Sequence, residues 1–232
     1  VLSTIAIVPS APLLVPELAG AAAAEVADLA AAVVEAAALL PARWVAVGIG
    51  VADGDLGPES TGTFAGFGVD VRVGLSSHAD TGRTAELAEL PLCALVAGWV
   101  RAQVRPEASA RVRVYADDHA AEVALAHGRQ LRAEIDRLPD PIGVLVVADG
   151  ANTLTPSAPG GYDPGNADAQ LALDDALAKG DAAALAGLPE PILGRVAFQV
   201  LAGLTEPGPR SAKELYRGAP YGVGYFAGAW QP

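Results

Sequence analysis

The chain has 232 residues, of which 52% are hydrophobic and 18% charged, enough to bury a sizeable core and within the range of one α/β domain. Its 15 basic and 27 acidic residues leave a formal net charge of -12, so nucleic-acid backbones and anionic membrane surfaces are repelled at long range. The single cysteine, Cys93, excludes an internal disulfide; it lies in the apolar run from Leu90 to Val100, the setting of an inert core thiol.

Leu2 to Val8 is an apolar, β-branched run ending at Pro9, the pattern of a central strand giving way to a loop. Pro9, Pro12 and Pro16 keep this start from reaching the roughly 18 apolar residues of a membrane span. It also lacks a basic leader, so a cytoplasmic protein without membrane partners is expected. Leu18 to Leu40 is built from helix formers, with Val26, Leu29, Val33 and Leu40 along one stripe, and Pro41 ends it.

Trp44 to Ile49 reads as a strand, Gly50 to Gly62 as a Gly- and Asp-rich loop, and Val69 to Val73 as another strand. A helix follows from Pro91 to Val104, a strand from Val112 to Tyr115, and a helix from Ala120 to Arg137 with Val123, Leu131 and Ile135 inward. Ile142 to Ala148 is the most apolar strand. Helices are expected near Asn166 to Lys179 and Ile192 to Leu204, then a Tyr- and Gly-rich closing turn or strand from Leu215 to Trp230. The alternation predicts an α/β fold: a mostly parallel central sheet with helices on both faces, in a single domain over residues 1–232. Ligands of such sheets sit beyond the carboxyl ends of the strands.

The loops at those ends hold the candidate chemistry. Ser10 offers a hydroxyl after the first strand, read as a ligand-binding group or as an ordinary turn serine. No histidine follows a predicted strand closely enough to make it a nucleophile. Asp149 emerges from a very apolar strand, where a lone carboxylate is costly, so it needs a partner or a raised pKa; Asp-Gly is equally a common turn. Asp53, Asp55 and Glu59 do not match a calcium loop and read as solvated. Asp117 and Asp118 are expected to favour the positive end of a helix, leaving His119 as their exposed neighbour. His127 has no second ligand at i+4 on its helix.

Five segments, IVPSAPLLVPEL, ELPLCALVAGWV, VALAHGRQL, VLVVADGANTLTPSAPGGYD and YGVGYF, together resemble the class III extradiol ring-cleavage dioxygenases. The likeness is to the branch of the protocatechuate 4,5-dioxygenase catalytic subunit and the Memo-like proteins, and it runs in order along most of the chain. The resemblance implies that fold and an Fe(II) site held by two histidines and a glutamate. Here the first histidine position is Ser10, the stretch GIGVADGD after the second strand has no histidine, and the acid/base histidine position is Asn152. Asp149 keeps the family's aspartate, and Glu190 matches its iron-binding glutamate after a one-residue shift.

Serine is a poor Fe(II) ligand and asparagine does not titrate near neutrality. The first reading is therefore a member without the Fe(II) site and without ring cleavage, binding a small polar or aromatic molecule through Ser10, Asp149, Asn152 and Glu190, with no resident cofactor. The second is an active enzyme holding Fe(II) or another divalent metal on the carboxylates of Asp53, Asp149 and Glu190. The third is an interaction protein whose Tyr216, Tyr221, Tyr225, Phe226 and Trp230 form a homodimer or partner surface.

Overall fold

A computed structural model describes residues 1–81 and 87–232. In chain order it contains β1 (Leu2–Val8), α1 (Pro16–Ala19), α2 (Ala27–Ala38), β2 (Arg43–Gly50), β3 (Gly54–Leu56), β4 (Thr61–Thr63), β5 (Arg72–Gly74) and α3 (Ser77–Thr81). There follow α4 (Leu92–Val104), β6 (Ser109–Ala116), α5 (Ala121–Asp136), β7 (Ile142–Val147), α6 (Ala167–Lys179), α7 (Ala182–Ala186), α8 (Arg195–Thr205), β8 (Ser211–Gly218) and β9 (Tyr225–Gln231).

Seven strands form one sheet in the order β3-β6-β2-β7-β1-β9-β8. The four in the middle, β6, β2, β7 and β1, are parallel. Antiparallel β3 closes one edge and the β9–β8 pair the other. Alternate side chains of the central strands face opposite helical layers. Ala6, Val8, Leu145 and Val147 share a core with α2 and α4, whereas Ile5, Ile7, Val144 and Val146 share one with α5, α6 and α8. Both faces of the sheet are thus covered, as the apolar strands require.

Several elements differ from the sequence expectation. The long helix from Leu18 breaks at Gly20, which takes φ 53° and ends α1, so the regular helix begins only at Ala27. The supposed solvated loop after β2 contains β3, whose Gly54, Asp55 and Leu56 pair with Val114, Arg113 and Val112. The strand placed over Val69 to Val73 is β5, starting at Arg72, while Val69 and Val71 pack as loop residues. Val123 is 42% exposed and Ala124 takes the inward position instead. The aromatic tail is not an open surface: Tyr225, Phe226 and Trp230 are buried, because β9 lies between β1 and β8 with helices over it.

Two internal features organise the layers. On α4, Arg101 is fully buried; its Nε donates to the Gly74 carbonyl at 3.1 Å and its Nη1 to those of Pro106 and Ala108. This guanidinium bridges α4, β5 and the turn before β6. On the other side, α5 and α8 cross at Gly128 and Gly203. A Cβ on Gly128 would meet the Val200 carbonyl and lie 2.6 Å from the Leu204 nitrogen; one on Gly203 would meet the Leu125 carbonyl. Only hydrogen fits between these backbones. Cys93 is buried, its thiol pushed up to about 12 by burial, matching the inert role expected for it.

Candidate functional site

Parallel pairing of β1 with β7, with Val8 opposite Val147, brings the loops after both strands to one edge of the sheet. There the Ser10 backbone N–H donates to Asp149 Oδ1 at 2.7 Å. Ser10 contributes its amide to this contact, not the hydroxyl singled out by the sequence. Asp149 keeps slight surface access, yet the protein packs densely enough around it that burial pushes its carboxyl up to about 7, against the opposing pull of the Ser10 N–H. Tyr225 lies near enough for the Asp149 charge to raise its phenol further, after burial, the larger cause.

The loop beyond Asp149 is stitched to the segment before β9. Gly150 N–H donates to Gly224 O and Gly224 N–H to Ala151 O, both at 2.8 Å, and Leu154 N–H donates to Gly222 O at 3.0 Å. Gln170 of α6, which reading the loops did not select, is buried beneath. Its Oε1 accepts from the Ala151 N–H at 2.8 Å and its Nε2 donates to Asp174 Oδ1 at 2.9 Å. Burial raises Asp174 to about 6. The i,i+4 spacing of Gln170 and Asp174 was the available signal. Asn152 sits on the same loop, its side chain against Gly160 and its carbonyl accepting the Gly160 N–H at 2.9 Å.

Glu190 stands elsewhere. It is exposed and lines a cleft of about 470 Å³ with His119, Arg195 and Gln199. Asp53 likewise belongs to a different group from Asp149. Its Oδ1 accepts from the Ala116 N–H at 2.7 Å and lies 2.7 Å from His119 Nε2. That amide first, and the imidazole second, hold its carboxyl below the ordinary value. His127 completes the group: one potential ligand atom from each of Asp53, His119 and His127 lies within 4.8 Å of the others.

The histidines are positioned by the fold around α5. His119 lies in the turn between β6 and α5 and is partly buried, and Arg195 Nη1 donates to its carbonyl at 3.1 Å. Asp117 and Asp118 do not cap α5, which begins after Ala120 with no side-chain cap. Arg195 Nη2 instead reaches the Asp117 carbonyl at 3.4 Å. His127 packs on Tyr115 with ring centres 4.9 Å apart and stands 5.1 Å from the His119 ring. Sequence reading missed this grouping because it sought metal pairs along one helix, whereas these residues meet through the neighbouring strands β2 and β6.

The donor set at the first and third loops does not fit the iron centre of the family the sequence resembles. Ser10, Asp149 and Asn152 offer one carboxyl and no imidazole, short of the two imidazoles and a carboxylate that such a centre uses.

No protein-family model matches the chain, and no curated protein matches it. Among solved structures it is similar to uncharacterized protein JW3007 from Escherichia coli K12, with a TM-score of 0.55 and 11% identity over 98% of this chain and 99% of that one. At that identity the likeness speaks to the α/β fold alone.

Proposed function

We propose that this protein is a class III extradiol dioxygenase-like binding protein, which takes a small polar or aromatic molecule at the carboxyl edge of its sheet and does not perform iron-dependent ring cleavage. The observation carrying this reading is the Ser10–Asp149 hydrogen bond at 2.7 Å, which draws the first and third loops together around a carboxyl. Parallel α/β sheets place their ligands in this region. A carboxyl held near half-protonation at neutral pH offers both a donor and an acceptor to a hydroxyl or carboxylate ligand. The Tyr225 phenol, near enough to feel the Asp149 charge, supplies a further polar group beside it.

The test is a thermal-shift screen with catechols, hydroxybenzoates and small carboxylates, run beside oxygen-uptake assays in added Fe(II). Stabilisation by a ligand, weakened in Asp149→Ala and unaccompanied by oxygen uptake, is expected. Fe(II)-dependent oxygen consumption with any catechol overturns the reading, and so does a screen in which no compound stabilises the wild-type protein.

A further inference from the structure

The geometry points to a divalent transition-metal site of the zinc class formed by Asp53, His119 and His127. One carboxylate and two imidazoles are a donor set that zinc-class ions take in preference to magnesium or calcium, which favour all-oxygen shells. The three ligand atoms lie within 4.8 Å of one another. Three protein ligands leave a fourth tetrahedral position for water or an anion.

A simple Asp–His hydrogen bond accounts for two of these residues and leaves out the third. Among the described residues none exchanges a hydrogen bond with the His127 imidazole, which is held by ring packing on Tyr115 and turned toward His119. Metal–ligand distances of about 2.0–2.2 Å put tetrahedral ligand atoms roughly 3.3 Å apart, so the 2.7 Å Asp53–His119 contact has to open by about half an ångström and a pair at the 4.8 Å limit has to close by about 1.5 Å. Asp53 is exposed, so its carboxylate can make that shift into solvent while keeping the Ala116 N–H.

The surroundings also suit a metal. Outer contacts fix the ligands: the Ala116 N–H on Asp53 Oδ1, Arg195 on the His119 carbonyl, and Tyr115 behind His127. Access is open from two sides. Asp53 and His127 line a cleft of about 320 Å³, while His119 lines the 470 Å³ cleft that also holds Glu190. The site shares no residue with the Ser10–Asp149 contact: Tyr225, whose phenol feels the Asp149 charge, belongs to one core and Tyr115, against His127, to the other. Its success or failure is therefore independent of ligand binding at Asp149.

Calorimetric titration of the chelator-stripped 232-residue chain with Zn(II), paired with visible absorption on adding Co(II), tests the site. One equivalent of zinc, a raised melting temperature with zinc and the absorption bands of four-coordinate cobalt are expected. His119→Ala, His127→Ala and Asp53→Asn should each weaken binding at least about tenfold. Asp53→Asn retains the acceptor for Ala116 and guards against an unfolded variant. His78→Ala, altering the remaining histidine, should bind as the wild type does. Absence of binding by the folded protein, or a loss smaller than tenfold in either His119→Ala or His127→Ala, overturns the proposal.

Discussion

Ser10 and Asp149, 139 residues apart, are joined by a 2.7 Å hydrogen bond in which the donor is a main-chain amide. The identity of the Ser10 side chain is therefore immaterial to the contact. Ser10→Ala should change stability by less than about 0.5 kcal/mol. Ser10→Pro, which deletes the amide hydrogen and leaves a buried carboxyl unmatched, should cost about 1–3 kcal/mol. Urea unfolding of the two variants checks this contrast, and equal losses would count against it.

Stability should fall as the Asp149 carboxyl ionises. Burial raises its pKa from 3.8 in the unfolded reference to about 7 in the folded chain, so the folded state binds the proton more tightly. Its contribution is fully present below about pH 4 and is lost as pH rises through 7. Asp149→Asn removes this dependence while keeping an acceptor for Ser10. Melting curves of wild type and variant should run together near pH 4 and diverge by about 4 kcal/mol in favour of the variant at pH 8. Asp174→Asn should show the same sign, with its divergence levelling off once the pH has risen past about 6, where burial places that carboxyl. A gap independent of pH would refute the assignment.

Gly128→Ala should destabilise the protein by about 1–3 kcal/mol, even though alanine is the better helix former by about 1 kcal/mol. The added methyl meets the Val200 carbonyl and the Leu204 nitrogen, both main-chain atoms that cannot rotate away. Gly203→Ala should behave alike through the Leu125 carbonyl. A thermal midpoint unchanged in both variants would mean that α5 and α8 are not seated as closely as described.

Arg101→Met should be strongly destabilising, by about 2–4 kcal/mol. Methionine fills much of the same volume, but the carbonyls of Gly74, Pro106 and Ala108 lose their donor inside the protein. Arg101→Lys should recover only part of the loss, since one ammonium cannot reproduce the guanidinium fork. Chemical denaturation of the two variants is the measurement; full recovery by lysine would show that charge alone matters.

Elements whose residues bury an apolar face were legible in the chain itself. β1, β2, β7, α4, α5 and α6 lie close to where hydrophobic period and helix formers place them. β3 was illegible because Gly54, Asp55 and Leu56 carry no alternating pattern; its strand conformation comes from the open edge of β6. The split of the first long helix depends on one positive φ at Gly20 amid residues that all favour helix. Asp149 was recognisable locally, as an acid leaving an apolar strand. The meeting of Asp53 with His119, 66 residues away, required knowing that β2 and β6 are neighbours.

The helix α8 contributes no ligand to the histidine pair, yet both members are referenced to it. Arg195 at its first turn holds the His119 carbonyl, and Gly203 near its end receives Gly128, the residue next to His127. Spacing between the imidazoles is thus set on a third piece of chain, as two posts are set by the beam between them. Changes along α8 that tilt it slightly would alter the reach from His119 to His127 without touching either ring. Affinity at the pair can be tuned from a buried helix, leaving the rings and the carboxylate as they are.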